Sequence, residues 1–332
     1  MAAPPDAAST GAAAAIAAGT AGTAAAPPPP PPPVPVPADS AAATWAPLRP
    51  FVRGEAALGR RMEAAGRGPA ALYEFLRFGV KQAWASLFAA IMLALLIATS
   101  LWYPRGAPLA RYDFLFLAAL AVQAALLTFR LETFEEAKVI FAYHVVGTVM
   151  EVFKTGVGSW LYPEPSFFHI AGVPLFTGFM YSCIGSYICR AWRLFHFEFT
   201  HHPPLSALAV LSLAVYVNFF AHHYVWDFRL VLFVAAAILM ARTRIYFTVW
   251  RTPRWMPLLL GLFLVAFFIW VAENTGTVTK TWIYPSQRDG WSLVGAEKLG
   301  SWFLLLIISY TLVALIKRGE AALSHASGNP GA

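Results

Sequence analysis

Long apolar segments, separated by short polar stretches, follow one another along the chain after residue 80. A helix needs roughly 20 apolar residues to cross the hydrocarbon core of a bilayer, and somewhat shorter ones are tolerated. The pattern therefore predicts an all-α integral membrane protein with eight transmembrane helices. The predicted spans are 83–103, 113–130, 137–157, 172–190, 205–222, 227–244, 256–273 and 298–316. The third is the least apolar, because it contains His144, Glu151 and Lys154.

The basic residues are distributed unequally between the two sides that this threading defines. If both termini lie on one side, 17 of the 24 lysines and arginines fall on that side. The other side receives Arg105, Arg111, Lys154, Arg229, Lys280, Arg288 and Lys298. Cytoplasmic loops carry the excess of basic residues. We therefore expect a multi-pass protein of the cell (inner) membrane with both termini in the cytoplasm.

Composition separates this membrane domain from two tails. The chain is 58% hydrophobic and only 12% charged, whereas soluble domains carry about 25% charged residues, so a water-soluble globular enzyme is excluded. Residues 1–70 are rich in Ala and Pro, with an unbroken proline run at 27–33. Such a composition predicts a disordered tail and is less typical of a signal peptide. The membrane domain is expected at 71–318, and a short disordered tail at 319–332.

The net charge of +7 does not indicate nucleic-acid binding, because the basic residues flank apolar spans and serve topology there. Between Arg60 and Lys81 the chain is basic and amphipathic, which predicts a juxtamembrane segment lying against anionic lipid. The lipid bilayer is thus the expected partner, and no nucleic acid is expected.

One sequence string occurs twice. Glu151 is followed by eight residues and then by Trp160-Leu-Tyr-Pro, and Glu273 is followed by eight residues and then by Trp282-Ile-Tyr-Pro. The copies are 122 residues apart, each after an outward-running span. Because four spans return the chain to its starting side, the string predicts two parallel four-helix repeats related by an axis along the membrane normal.

The predicted repeats cover about 83–190 and about 205–316. The second and sixth spans match at an offset of 114 residues, and the eight-residue difference falls in the loop around 251–257. A two-fold relation between the repeats would bring both strings to one central cavity on the outward side.

The candidate catalytic residues are Glu151, Glu273 and His144, because ionisable groups inside a span are costly and usually functional. His144 shares a helix face with Glu151 and is its expected partner. Two alternatives stay open: Glu151 pairs with Lys154 three residues on, and His144 only forms a hydrogen bond between helices.

The candidate substrate-binding residues lie near the outward surface. They are Trp160, Tyr162, Trp282, Tyr284, Asn274, Arg288, His222, His223 and Asp227. The loop after the seventh span would form a lid in which Arg288 or Lys280 meets an anionic head group. The alternative is an aromatic interface belt, containing Trp282, Tyr284 and Trp291, with the charges solvated in the loop. Gly178, Ser182 and Ser186 form a small-residue stripe that predicts close helix packing.

Histidine pairs invite a comparison with metal sites. His222-His223 and Asp227 have suitable residue types, but a second element with ligand spacing is missing, so no metal is predicted. His196, His201 and His202 look like part of the histidine box of membrane di-iron desaturases. They are expected on the cytoplasmic side, opposite His222 and His223, and so cannot share one site with them.

Several strings resemble a known family. They are Trp160-Leu-Tyr-Pro, Gly172-Val-Pro-Leu, Gly178-Phe-Met-Tyr, Ser186-Tyr-Ile-Cys-Arg-Ala-Trp, Asn218-Phe-Phe-Ala-His-His, Ala272-Glu-Asn and Trp282-Ile-Tyr-Pro followed by Trp291-Ser-Leu-Val. Over roughly residues 75–318 the chain resembles the bacterial membrane family of unknown function 817, which is YoaT-like. The resemblance implies no particular reaction.

A weaker similarity is to membrane lycopene cyclases and related carotenoid-modifying proteins, which share duplicated helical units with a Glu and a Trp-x-Tyr near a span end. In those enzymes acidic residues protonate a polyene or hold the resulting carbocation. The similarity implies that Glu151 and Glu273 act as acids, with the aromatic residues stabilising a cation.

Three functions remain open, and a cofactor is not identified. The preferred one is a membrane-embedded enzyme acting on an isoprenoid or lipid ligand by carboxylate acid/base chemistry. The alternatives are a proton-coupled transporter, with His144 and Glu151 as the relay, and a non-catalytic accessory membrane protein. Transport requires polar side chains toward the cytoplasmic side, where the spans are mainly apolar apart from Gln123, Thr128 and Tyr187.

Overall fold

The computed structural model describes residues 49–326, apart from Arg105 and Thr252. Within these residues the chain forms ten α-helices and two small sheets. The helices are α1 (Arg49–Ala64), α2 (Arg67–Ala85), α3 (Leu87–Trp102), α4 (Arg111–Thr128), α5 (Phe134–Gly156), α6 (Phe176–Phe195), α7 (Leu205–Ala221), α8 (Arg229–Met240), α9 (Leu258–Val278) and α10 (Ala296–Ala326). The strands are β1 (His169–Ile170), β2 (Val173–Pro174), β3 (Glu198–Thr200), β4 (Arg244–Thr248) and β5 (Pro253–Pro257).

Each predicted span contains one helix, from α3 to α10. Three stretches within the described residues are long and apolar enough to cross a membrane: α4, α9 and Ala296–Arg318 of α10. A fourth forms if α2 and α3, which meet at a bend of 69°, make one span. Helices α7 and α8 are apolar but shorter. The chain is therefore mostly helical, with three or four helices that suit a membrane, and the count of eight spans stays a prediction.

The helical part of the chain begins earlier and ends later than the composition suggested. Helix α1 and the start of α2 fall in the stretch assigned to the N-terminal tail, and α10 continues into the stretch assigned to the C-terminal tail. Pro50 occupies the first turn of α1, where proline costs no hydrogen bond, and helix-forming residues follow it. Residues 1–48, with the proline run, and 327–332 lie outside the described residues.

Two antiparallel sheets depart from the all-α prediction. Strand β1 pairs with β2, and the second sheet has the order β3-β4-β5. The β-branched and aromatic residues of β4 favour a strand, and the prolines that bound β5 are tolerated at the sheet edge. The sixth span predicted at 227–244 is consequently too long as a helix, because α8 ends at Met240. The β4–β5 hairpin also occupies the loop in which the repeat offset changes.

Helices α1 and α2 pack beside this sheet through polar contacts. The Arg77 guanidinium lies 2.9 Å from the Glu55 carboxylate, and Trp250 Nε1 donates to Glu63 Oε1 at 2.6 Å. Lys81 Nζ donates to the carbonyl oxygens of Leu194 (2.9 Å) and Thr248 (3.1 Å). Within the predicted juxtamembrane segment, Arg77 therefore connects α2 with α1, and Lys81 connects α2 with α6 and β4. The other three cations, Arg60, Arg61 and Arg67, are exposed.

A buried ion pair connects α6 with the turn between α4 and α5. Arg190 lies 2.8 Å from Glu132, and both side chains are 1% exposed. Ser186 Oγ and Gln123 Nε2 also donate to the Glu132 carboxylate, at 2.7 and 2.6 Å. Paired, hydrogen-bonded charges are the form in which buried ions are tolerated. We call these four residues the Glu132–Arg190 cluster.

Helix α6 packs closely against α5 along its stripe of small residues. A Cβ atom at Gly178 would overlap the imidazole and the carbonyl oxygen of His144. Ser182 Oγ donates to the carbonyl oxygen of Ile140 at 2.9 Å, across the same interface. The prediction that this stripe serves close helix packing is confirmed.

Replacing Gly178 with alanine is expected to lower the free energy of unfolding by about 1–3 kcal/mol, because the added methyl group forces α5 and α6 apart. Thermal unfolding of the detergent-solubilised protein measures this change. Gly79→Ala is the matched control, since nothing lies within 4 Å of a Cβ atom at that position in α2. It should leave stability unchanged or raise it by up to about 1 kcal/mol. Equal stability of the two variants would contradict the close packing.

Candidate functional site

Glu151 lies near the end of α5 and is 5% exposed. Its Oε2 accepts hydrogen bonds from Trp160 Nε1 (2.7 Å) and the Tyr162 hydroxyl (2.5 Å). Its Oε1 accepts one from the Tyr181 hydroxyl on α6 (2.8 Å). The carboxylate is thus surrounded by three neutral aromatic donors.

Glu273 has a similar environment near the end of α9 and is also 5% exposed. One carboxylate oxygen accepts a hydrogen bond from the Tyr284 hydroxyl and the other from Trp302 Nε1 on α10. Trp282 does not take the place that Trp160 takes in the first copy. Its indole packs so tightly against Gly276 that a Cβ atom there would overlap it.

Helices α5 and α9 end in the same way. Gly158 (φ 75°) and Lys280 (φ 53°), at equivalent positions of the two strings, both adopt the left-handed backbone conformation. The next residues, Ser159 and Thr281, each return their N–H to the carbonyl oxygen five residues earlier, both at 2.9 Å. A left-handed residue commonly terminates a helix and reverses the chain. Each string therefore folds back and returns its Tyr toward its Glu.

The two strings lie against each other. Leu161 and Ile283, again at equivalent positions, form an isolated antiparallel bridge in which each N–H donates to the other's carbonyl oxygen at 3.0 Å. The Tyr181 and Trp302 rings, which serve the two glutamates, are 6.1 Å apart. Both carboxylates consequently sit at one junction, enclosed by their donors.

Burial and the negative Glu151 raise the pKa of Tyr162 well above its ordinary value. Burial and the negative Glu273 do the same for the pKa of Tyr284. Both phenols therefore keep their protons at any physiological pH and remain hydrogen-bond donors.

The structure does not join His144 to Glu151. The imidazole lies against Phe179 of α6, with ring centroids 4.4 Å apart. Its Nδ1 is buried and has no hydrogen-bond partner among the described residues. The backbone carbonyl of His144 accepts from Thr148 Oγ1 at 2.7 Å.

Lys154 contacts histidines, and the alternative pair with Glu151 is not formed. Its Nζ lies 2.8 Å from His223 Nε2 and 3.5 Å from His222 Nε2. His222 Nδ1 lies 2.9 Å from the Asn218 carbonyl oxygen, so a proton on Nδ1 leaves Nε2 as an acceptor for the ammonium. Burial, followed by the positive charge of Lys154, lowers the pKa of His223.

Asp227 lies apart from the glutamates. It accepts hydrogen bonds from Asn218 Nδ2 (3.2 Å) and from the backbone N–H of Arg229 (3.0 Å), and it pairs with the Arg229 guanidinium at 2.5 Å. No three His, Cys, Asp or Glu residues come together to hold a metal ion within the part of the chain that the structure describes.

The loop after α9 is fixed to the helix by Asn274. Its side chain donates to the Trp270 carbonyl oxygen (2.8 Å) and accepts from the Val294 N–H (2.9 Å). Arg288 ends a short 3-10 helix (Pro285–Gln287) and is exposed. Of the predicted binding residues, Trp160, Tyr162 and Tyr284 thus surround the glutamates, whereas Asn274 has a structural role and Arg288 lies at the surface.

Sequence analysis missed Tyr181, Trp302 and Lys298. Tyr181 follows Glu151 by 30 residues and Trp302 follows Glu273 by 29. This near-equal spacing is the sequence feature that could have identified both residues as partners of the glutamates. The Lys298 ammonium lies 4.5 Å from the Tyr284 ring centroid and 5.6 Å from that of Trp160.

Polar groups recur along the α5–α6 interface. Tyr181 contacts Glu151 at one end, and Ser186 contacts Glu132 at the other. Between them lie Ser182, Thr148 and the unpartnered nitrogen of His144. Glu132 lies just before α5, and the helix extends about 26 Å from Phe134 to Glu151, close to the roughly 30 Å of a hydrocarbon core. We call this set, together with Arg190, which pairs with Glu132, the α5–α6 polar line.

The fold and the site define a mostly helical protein with apolar helices that suit a membrane and two buried carboxylates at the junction of a duplicated string. Residues 74–310 match the family described as "Protein of unknown function (DUF817)". The chain belongs to this family.

A relative supports the assignment. The chain is 40% identical over 248 residues to "Uncharacterized protein YoaT" of Bacillus subtilis (strain 168), which covers 75% of this chain and 93% of that protein. No solved structure matches the chain. These matches give no support to the similarity to lycopene cyclases.

Glu151→Ala should lower the free energy of unfolding by about 3 kcal/mol or more, because it leaves buried donors unsatisfied at about 1–3 kcal/mol each. Glu151→Gln should cost about 1 kcal/mol. Its oxygen still accepts from Trp160 and Tyr162, and Tyr181 can accept from the new amide. Thermal unfolding in detergent compares the two variants. An equal loss for both would show that the hydrogen bonds contribute little.

The contact of Lys154 with His223 should depend on pH. Because the pKa of His223 is lowered in the folded protein, the unfolded chain binds the proton first. The contribution of neutral His223 to the free energy of unfolding is complete above about pH 6.5, the ordinary pKa of histidine. It is lost as the pH falls through the lowered pKa of His223. His223→Gln should therefore show a smaller fall in melting temperature between pH 7.5 and 5 than the unchanged protein. His169→Gln in β1 should behave like the unchanged protein, and identical curves for all three would contradict the assignment.

Proposed function

We propose that the chain crosses the cell (inner) membrane eight times, as two parallel four-helix repeats with both termini in the cytoplasm. The one helix found in each predicted segment supports this topology. The matching turns after α5 and α9, and the reciprocal bridge of Leu161 with Ile283, support the two-fold relation.

We further propose that the protein is a proton-coupled transporter, with Glu151 and Glu273 as proton-binding groups. The α5–α6 polar line carries this proposal. It contains polar groups toward the proposed cytoplasmic side, where the sequence pattern showed mainly apolar spans. These groups are Glu132, Arg190 and Ser186. Ionisable groups within a membrane commonly mark ion and proton pathways.

The glutamate environments suit both protonation states. A carboxylate only accepts hydrogen bonds, whereas a protonated carboxyl group must also donate one. A tyrosine hydroxyl can donate or accept, but an indole N–H can only donate. Protonation of Glu151 therefore requires only that Tyr162 or Tyr181 reverse its hydroxyl, while Trp160 stays in place.

Two atoms on the polar line can bind water. His144 Nδ1 and Arg190 Nε are buried and lack partners among the described residues. Buried polar groups without protein partners are commonly satisfied by water. Water at these positions would extend the line between Glu151 and the Glu132–Arg190 cluster.

Acid/base catalysis on an isoprenoid or lipid is a second candidate. The Lys298 ammonium over the Tyr284 ring favours it, because rings that hold an ammonium would also stabilise a carbocation. However, both oxygens of each carboxylate already accept protein hydrogen bonds. A substrate would have to displace a Tyr or Trp to reach them, whereas a proton would not.

Purified protein in liposomes, with a pH-sensitive dye inside and a potassium diffusion potential imposed, tests the transporter. The unchanged protein should admit protons faster than protein-free liposomes. Glu151→Gln and Glu273→Gln should each reduce the rate to that of protein-free liposomes. Glu198→Gln in β3, away from the polar line, is the control and should transport normally.

Flux that survives both glutamine substitutions would contradict the proposal, and so would an unchanged protein no faster than empty liposomes. Lipids, quinones and pigments of the expressing cells are compared by mass spectrometry in the same strains. The enzyme would be supported if the unchanged protein shows no proton flux and the amount of a lipid, quinone or pigment changes only in cells in which both glutamates are intact. Unchanged lipids without flux would support an accessory protein.

A further inference from the structure

An open groove lies between α6, the connection from β3 to α7, and the later part of α10. Its volume is about 560 Å³. The residues that matter for its chemistry are Trp192, Phe199, His202, Leu205, Lys317 and Arg318. We call it the head groove. Aromatic rings form its wall, and two cations lie on its α10 side.

The wall of the head groove is held by hydrogen bonds and stacking. His202 Nε2 lies 2.7 Å from the Tyr310 hydroxyl, and its Nδ1 lies 2.7 Å from the Pro203 carbonyl oxygen. The Trp192 ring is stacked with Tyr310 at an interplanar angle of 17°. With both imidazole nitrogens engaged, His202 serves as wall, and the charge of the groove comes from Lys317 and Arg318.

A second groove, which we call the tail groove, lies between α7 and α8. Its volume is about 650 Å³. Apolar side chains line it, among them Val210, Ala214, Leu232 and Ile238. Val210 is 69% exposed and Ile238 is 76% exposed, so the groove presents apolar surface outward. Ser206 is the one polar side chain among its lining residues.

The two grooves meet α7 at consecutive residues, Leu205 in the head groove and Ser206 in the tail groove. From Ser206 to Ala214 the tail groove follows α7 for about 12 Å. One leaflet contributes about 15 Å of hydrocarbon, half of the bilayer core. The tail groove thus has the length of an acyl chain in one leaflet, and the head groove lies at its polar end.

We propose that the two grooves bind one anionic phospholipid, with its phosphate against Lys317 and Arg318 and an acyl chain along α7 and α8. The proposed topology places this end of α10 on the cytoplasmic side, where anionic lipids and basic pockets between helices come together. A soluble phosphate would use the head groove alone and leave the tail groove without a role.

The test uses the full chain in detergent, titrated with dioctanoyl phosphatidylglycerol and followed by native mass spectrometry. Lys317→Gln with Arg318→Gln should raise the dissociation constant about 30-fold, because each cation near an anionic surface contributes about fivefold. Arg53→Gln with Arg130→Gln removes the same charge from exposed positions outside the juxtamembrane segment and should change the dissociation constant little. Dioctanoyl phosphatidylcholine should bind weakly to all forms.

Ala214→Phe tests the tail groove. The phenyl ring fills the groove and displaces about two methylene groups, so phosphatidylglycerol should bind about tenfold more weakly.

Glycerol 3-phosphate is the soluble probe of the head groove. If it binds as tightly as the lipid, and Ala214→Phe has no effect, the ligand is a soluble phosphate and the proposal is overturned. It is equally overturned if the control double variant, Arg53→Gln with Arg130→Gln, weakens binding as much as the α10 double variant. Gel filtration and thermal unfolding verify that each variant is folded.

Discussion

The structure depends on the need to satisfy two buried carboxylates away from water. An isolated buried carboxylate is very costly unless hydrogen bonds compensate it. Among the described residues no cation lies within hydrogen-bonding distance of Glu151 or Glu273, and indole and phenol groups supply their donors. Trp160, Tyr162 and Tyr284 reach the carboxylates because the chain reverses directly after α5 and α9, at Gly158 and Lys280. Tyr181 and Trp302 reach them from the following helices.

At the other end of the polar line, the buried carboxylate of Glu132 is stabilised by an ion pair. Glu132 is neutralised by Arg190 and receives further hydrogen bonds, so breaking this pair would leave an uncompensated buried charge. Glu151, by contrast, has only neutral partners, and Tyr162 and Tyr181 can adapt to a proton. One end of the line is thus fixed by charge, whereas the other can change its protonation state without a change in packing.

The sequence contained the duplicated string, and with it Glu151, Tyr162, Glu273 and Tyr284, because their spacing within each copy is local. Tyr181 and Trp302 act on the glutamates from the following helix, about 30 residues later. Local periodicity contains no information about that distance. The β4 strand was missed for a different reason: hydropathy averages treat an apolar strand as the continuation of the apolar helix before it.

The two glutamate sites differ in two donors, and one of these differences follows from packing. Trp160 donates to Glu151, whereas Trp282 packs against Gly276 and donates no hydrogen bond to Glu273. The donor from the following helix is Tyr181 at Glu151 and Trp302 at Glu273. Glu151 accepts three hydrogen bonds and Glu273 accepts two in the described structure. Since a carboxylate has about four lone-pair sites, Glu273 retains more capacity to accept another donor. This asymmetry gives the two halves different capacities for hydrogen bonding at their common junction.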